Sequence, residues 1–171
     1  ETLLYLEITH PRIELTTLAD IPSGTGLGSS GSFTTALIRT LYAFSKKHIT
    51  QNDIAEIACK IEIDRLNQPI GKQDQYISSF GGLTAFTFHK DGQVTSEPLN
   101  LSRQTIYDLE DNLLLFFTGY SRSASNILQD QKHRSESNDK SVIENLHKVK
   151  DLGYKSRDAL ESSDIELFGS I

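Results

Sequence analysis

Along the chain, apolar positions recur with two different spacings. Leu4, Leu6 and Ile8 alternate with Tyr5, Glu7 and Thr9, and Ile13 and Leu15 alternate with Glu14 and Thr16. This period of two predicts half-buried strands on either side of Pro11. The stretch Ile21-Pro22-Ser23-Gly24-Thr25-Gly26-Leu27-Gly28-Ser29-Ser30-Gly31 is too glycine-rich for regular structure. Phe33, Leu37, Leu41 and Phe44 then follow at helical spacing and predict a helix from about Ser29 to Lys47. Thr50-Gln51-Asn52-Asp53 resembles a capping box with Asp in place of Glu. The helix it opens carries Ile54, Ile57, Ala58 and Ile61 on its apolar face, with Glu62 on the border of that face. Asn67 to Gly71 ends this helix, and a short one is expected from Gln73 to Phe80, stopped by Gly81-Gly82. Leu83 to His89 and Val94 to Leu101 read as a hairpin turning through Lys90-Asp91-Gly92-Gln93. The near-continuous apolar run within Asn112 to Thr118 predicts a buried strand, followed by a polar helix around Ser123 to Lys132. Two helical segments close the chain, with Val142, Leu146 and Val149 on one face. Strands interleaved with helices, one antiparallel hairpin among them, give an α+β fold class.

The glycine-rich loop therefore sits where a strand would give way to a helix. Amides at a helix N-terminus lack intrahelical partners, and the helix dipole makes that end positive. Glycines allow the backbone to wrap closely around a ligand, for which a phosphate chain is the natural guest. A flexible turn with serines as helix caps is the plain alternative. Yet four glycines and two serines within Gly24 to Gly31 exceed what capping requires. A Walker A loop is excluded, because Gly28 is followed by Ser29 with no lysine. Gly26-x-Gly28-x-x-Gly31 formally satisfies the dinucleotide fingerprint, but Asp53, at the distance of the expected acidic residue, falls in a helix cap instead of closing a strand.

Phosphoryl transfer also requires a cation to neutralise phosphate charge and a group that takes the proton of the attacking hydroxyl. Magnesium is held by oxygen, typically through one or two carboxylates plus phosphate and water. Glu62, beside an apolar face, is a candidate metal ligand, with a solvated helix glutamate as the plain alternative and Asp64 pointing to a different face. Asp74 lies 12 residues on, at the start of the short helix, where capping is the alternative role. Lys72 is placed either to keep Asp74 ionised or to touch a substrate phosphate.

Composition narrows the partners. The 171 residues carry a formal charge of −6 with 37% hydrophobic content, which favours a folded domain and argues against nucleic acid or an anionic membrane as partner. No apolar run approaches the roughly 18 residues of a membrane-spanning helix. Cys59, the single cysteine, makes no internal disulfide and fits a reducing cytoplasm; its place between Ile57 and Ile61 suits a core residue better than a nucleophile. His10, His48, His89, His133 and His147 show no metal-ligand spacing. Methionine is absent even at position 1, which leads to the expectation of a trimmed or incomplete chain. Oligomeric state is unreadable.

Pro22-x-Gly24-x-Gly26-Leu27-Gly28-Ser29-Ser30-Gly31 resembles the ATP-phosphate loop of the GHMP small-molecule kinases. The resemblance implies the GHMP kinase fold: an N-terminal part like ribosomal protein S5 domain 2 over residues 1–101, and over 102–171 the start of a helical, ferredoxin-like C-terminal part. It implies that Pro22, Gly24, Gly26, Leu27, Gly28, Ser29 and Ser30 bind ATP, that Ser30 and Glu62 hold Mg2+, and that Asp74 is the catalytic base. Ile61-Glu62-Ile63-Asp64-Arg65, Gly71-Lys72-Gln73-Asp74-Gln75-Tyr76, Phe80-Gly81-Gly82 and Phe117-Thr118-Gly119-Tyr120-Ser121-Arg122-Ser123-Ala124 look like the heptose 7-phosphate kinase branch. That branch implies a phosphorylated seven-carbon sugar as acceptor, phosphorylated at its anomeric hydroxyl, with Lys72, Thr118 and Arg122 as substrate contacts. It also implies a pathway to nucleotide-activated heptose for bacterial surface polysaccharide. The family's N-terminal sugar-contacting segment and its C-terminal glycine-rich motif have no match here, so the chain resembles a central section of a longer kinase. Other readings kept open are another GHMP kinase (galactokinase- or mevalonate kinase-like), a dinucleotide-dependent oxidoreductase, and a non-catalytic sensor.

Overall fold

The computed structural model describes residues 1–8, 13–20, 24–116 and 124–171. Among them the elements run α1 (Thr2–Tyr5), α2 (Ser29–Phe44), α3 (Gln51–Cys59), a π-helical segment (Lys60–Arg65), α4 (Gln73–Phe80), β1 (Thr84–Phe88), β2 (Val94–Pro98), α5 (Arg103–Asn112), α6 (Ala124–Glu136), α7 (Lys140–Glu161) and α8 (Ile165–Ser170). The chain divides into two compact units: Glu1–Gly82 with Tyr120–Gln129, and Leu83–Gly119 with Asp130–Ile171.

In the first unit α2, α3 and α4 pack on one another. Ile38, Ile54, Ala58 and Ile61 form the core, flanked by Tyr5, Tyr42, Ile49 and Ile57. The face α2 buries differs from the expected one. Thr34, Thr35, Ile38 and Leu41 turn inward, while Phe33 and Phe44 are 51% and 55% exposed. Threonine is tolerated on this inner face because its hydroxyl finds a partner: Thr35 donates back to the Gly31 carbonyl at 2.8 Å. Thr50 caps α3 as its sequence suggests, accepting from the Asp53 amide at 3.1 Å.

The strand expected over Leu4 to Ile8 is instead the short helix α1, and residues 13–19 have no regular structure. A strand requires a partner for its backbone groups, and the described residues contain a single two-stranded sheet, β1 with β2. Tyr5 turns toward the core and carries Arg65 over its ring at 4.9 Å, a contact that winding Thr2–Tyr5 into a helical turn makes possible.

In the second unit β1 and β2 pair antiparallel from Thr84 opposite Pro98 to Phe88 opposite Val94. The turn is the expected one, with Gly92 at φ 86. Helix α5, which the sequence pattern did not predict, is capped by the Ser102 hydroxyl, which accepts from the Thr105 amide at 3.0 Å. It is tied to the end of α7 by Thr105 and Ser163, whose hydroxyls lie 2.7 Å apart. The expected buried strand is corrected by the structure: Leu113 to Phe116 have no regular structure and are 60–84% exposed. An all-apolar run is buried as a strand only between neighbouring strands, and none pairs with it among the described residues. Val149 on α7 is likewise exposed, whereas Ala159 and Leu160 are buried. No helix among the described residues is long and apolar enough to cross a membrane.

Candidate active site

The site is built around the start of α2. Gly28 occupies the N-cap position in the left-handed conformation (φ 66), and Ser29 opens the helix. The amides from Gly28 to Gly31 consequently have no acceptor within the helix. The serines are not the caps: no side chain caps α2, and the Ser30 hydroxyl goes elsewhere.

It donates to Glu62 Oε1 at 2.5 Å. Thr34, one turn along α2, donates to the same oxygen at 2.7 Å, and Gln75 Nε2 of α4 donates to Oε2. Glu62 is 1% exposed, so the solvated-glutamate alternative is overturned. A buried carboxylate is tolerable only when its oxygens are supplied with donors. Here α2 and α4 supply them, Glu62 itself lying in the π-helical segment that continues α3. In that segment the ladder steps by one residue more than in an α-helix, as in the bond from Leu66 N to Ile61 O at 3.0 Å. Glu62 follows the buried Ala55, Ala58 and Cys59 at helical spacing, so it faces inward and is not on the border of the apolar face.

Asp74 stands on the other side of the same helical turn. It is exposed and lies at the second position of α4, whose N-cap is Lys72 without any side-chain cap. Capping therefore does not account for it. A Cβ placed on Gly28 would lie 3.3 Å from Asp74 Cγ, and one on Gly31 would lie 3.0 Å from the Asp74 carbonyl carbon and 3.1 Å from the Gln75 amide nitrogen. Two helix starts thus meet backbone to backbone, which only glycine permits at Gly31. The loop places Ser30 on Glu62 while Gly28 and Gly31 lie against Asp74.

Lys72 does reach a carboxylate, that of Glu56 on α3, at 2.8 Å. Glu56 Oε1 also accepts from the Tyr76 hydroxyl at 2.5 Å. Burial alone would raise the Glu56 carboxyl, but the bonds from Lys72 and Tyr76 more than offset this and hold it below its ordinary value. Burial, followed by the bond to Glu56, pushes the Tyr76 phenol well up. Cys59 is buried at 3% exposure, and its thiol is pushed up to about 12, chiefly by desolvation, which suits a core residue and not a nucleophile.

Of the residues singled out in the sequence, Gly28, Ser30, Glu62 and Asp74 are brought together. Gly24, Gly26 and Leu27 precede them in the same loop, and Ser29 is the first helical residue. Pro22, Thr118 and Arg122 lie outside the described residues. Sequence reasoning missed Thr34, Gln75, Glu56 and Tyr76. The available signal was a polar residue on an otherwise apolar helix face, Thr34 being four after Ser30. It also missed an apolar hollow of about 480 Å³ beside the loop, lined by Leu27, Ser29, Phe33, Ala36 and Leu37 with residues from Leu15 to Asp20.

Comparison with known proteins finds sugar kinases similar to this chain. The chain is 31% identical over 157 residues to a D-glycero-alpha-D-manno-heptose 7-phosphate kinase from Campylobacter jejuni, covering 92% of this chain and 45% of that protein. It is 30% identical over 176 residues to a galactokinase from Thermococcus kodakarensis, covering 89% of this chain and 49% of the other. A crystal structure of a D-glycero-D-manno-heptose 1-phosphate kinase from Bacteriodes thetaiotaomicron superposes with a TM-score of 0.75 at 27% identity, over 90% of this chain and 43% of its own. The chain thus spans about half the length of these relatives. Residues 2–82, which contain the loop, Glu62 and Asp74, match the family model of the GHMP kinases N terminal domain.

Proposed function

We propose that the protein is an ATP-dependent sugar kinase that transfers the γ-phosphate to the anomeric hydroxyl of a heptose phosphate. The observation that carries this reading is the placing of two carboxylates around one helical turn: Ser30 bonds Glu62, while Gly28 and Gly31 lie against Asp74. The amides at the start of α2, which have no acceptor within the helix, hold the phosphate chain. The hollow bounded by Leu27 and Phe33 takes the base, since it is apolar, adjoins the loop and has room for a purine.

Asp74, exposed beside these amides, accepts the proton of the sugar hydroxyl as that oxygen attacks the γ-phosphorus. The bond from phosphorus to the β,γ-bridging oxygen breaks, and ADP leaves. Ser30 Oγ and Glu62 Oε1, 2.5 Å apart, are hard oxygen donors of the kind magnesium takes, with phosphate and water completing its shell. The donor set therefore fits Mg2+, which when bound supplies charge neutralisation at the phosphates.

For the acceptor, support comes from the segments Ile61 to Arg65 and Gly71 to Tyr76 and from the heptose kinase names of two relatives. Such a product would feed nucleotide-activated heptose and surface polysaccharide. Lys72, Thr118 and Arg122 are proposed to contact this substrate.

The test is Asp74→Asn in the full chain. ATP affinity should stay at the wild-type level while turnover with heptose 7-phosphate falls by about 10²–10⁴-fold. Normal turnover would remove Asp74 from the mechanism. An acceptor panel measured by ADP release should rank heptose 7-phosphate above galactose and mevalonate. Turnover of galactose without heptose phosphate would replace the acceptor, and tight NAD binding without ATP binding would end the kinase reading.

A further inference from the structure

Gln75 and Thr34 have no part in the transfer chemistry itself, yet both are spent on Glu62. Gln75 is completely buried and Thr34 is 6% exposed. Their partner is acceptor-only when ionised, so the amide of Gln75 must present its nitrogen to Glu62 Oε2. That orientation leaves Gln75 Oε1 buried with no hydrogen-bond partner among the described residues. A side chain whose only task was to fill space would do so better as methionine or leucine, without an orphaned carbonyl. The remaining partner, Ser30, is different in kind: it is exposed and lies in the first turn of α2, directly after the loop.

The donors around Glu62 thus divide into a fixed pair and an exchangeable one. We propose that Gln75 and Thr34 are positioning residues for the cation site: they clamp the Glu62 carboxylate from behind, so that Oε1 is presented to the loop and only the Ser30 bond is given up when a divalent cation enters. Because Gln75 directly follows Asp74 on α4, the clamp also ties the carboxylate that holds the cation to the helix that carries the base. This inference rests on the reading of Ser30 and Glu62 as the magnesium ligands.

The experiment measures ADP affinity of the full chain by calorimetry, in EDTA and in saturating Mg2+, together with thermal unfolding. In wild type, Mg2+ should tighten ADP binding. Thr34→Val and Gln75→Met, which keep volume and remove the donor, should cut that gain by about 10–100-fold, the usual cost of losing an outer-shell partner of a metal ligand. Affinity in EDTA should stay unchanged, and Thr34→Ser should restore the gain. If Gln75→Met does not fold, Thr34→Val and its serine rescue decide. A lowered melting temperature with the Mg2+-dependent gain intact would overturn the proposal and leave both residues as packing. If wild type shows no gain from Mg2+, the magnesium reading itself fails.

Discussion

At the scale of single residues, the site depends on where bulk is missing. Gly31 is buried where α2 meets the backbone of Asp74 and Gln75. Alanine would improve intrinsic helix propensity there by about 1 kcal/mol. Its Cβ, however, would lie 3.0–3.1 Å from main-chain atoms and from Asp74 Cβ, none of which is the free end of a flexible side chain. Overpacking of this kind costs about 1–3 kcal/mol, so the steric term wins. Gly31→Ala is expected to lower the melting temperature, and turnover should fall further than stability alone explains because Asp74 is displaced. A thermal shift upward, with turnover unchanged, would show that the helices part freely. At Gly28 the obstacle differs: its positive φ of 66 strains any larger residue before contact with Asp74 is counted.

At the scale of elements, α4 is oriented by two separate carboxylates, Glu62 through Gln75 and Glu56 through Lys72 and Tyr76. The second has a definite pH dependence. The Glu56 carboxyl is held below its ordinary value of 4.5 in the folded protein, so its contribution to stability is present above that value and is lost as pH falls through the depressed one. The melting temperature of wild type should exceed that of Glu56→Gln at neutral pH, and the gap should close on acidification below the ordinary carboxylate range. A gap that is constant with pH would mean the charge is irrelevant. Most elements near the site were legible in the sequence because they carry local signals, such as the Thr50 cap of α3 and the Gly81-Gly82 stop of α4. The π-helical winding of Lys60 to Arg65 was not, since no local composition distinguishes it from α-helix. Nor was the inward face of α2: Thr34 and Thr35 are buried there by partners remote in sequence or one turn back, while Phe33 looks outward.

For the molecule as a whole, legibility followed local signals and not distance from the loop, the hairpin turning at Gly92 being read correctly. The loop, Glu62 and Asp74 were singled out together by resemblance of their order and residue types to a kinase family, and the structure brings Gly28, Ser30, Glu62 and Asp74 close to one another. The strands expected at Leu4 to Ile8 and Leu113 to Phe116 failed because a strand is decided by partners that its own residues do not specify. Leu114 and Leu115, 78% and 84% exposed, make a sticky surface of the 171-residue chain. Replacing both by lysine should reduce binding of a hydrophobic dye and light scattering at high concentration, with stability changed by no more than about 0.5 kcal/mol per site. A large loss of stability instead would place these leucines in a core. The described contacts of the site fall between Gly28 and Tyr76, within one uninterrupted stretch of the first unit. Fission of the gene between Gly82 and Leu83 would therefore sever none of these contacts, while parting them from Thr118 and Arg122, the downstream residues proposed to contact the substrate.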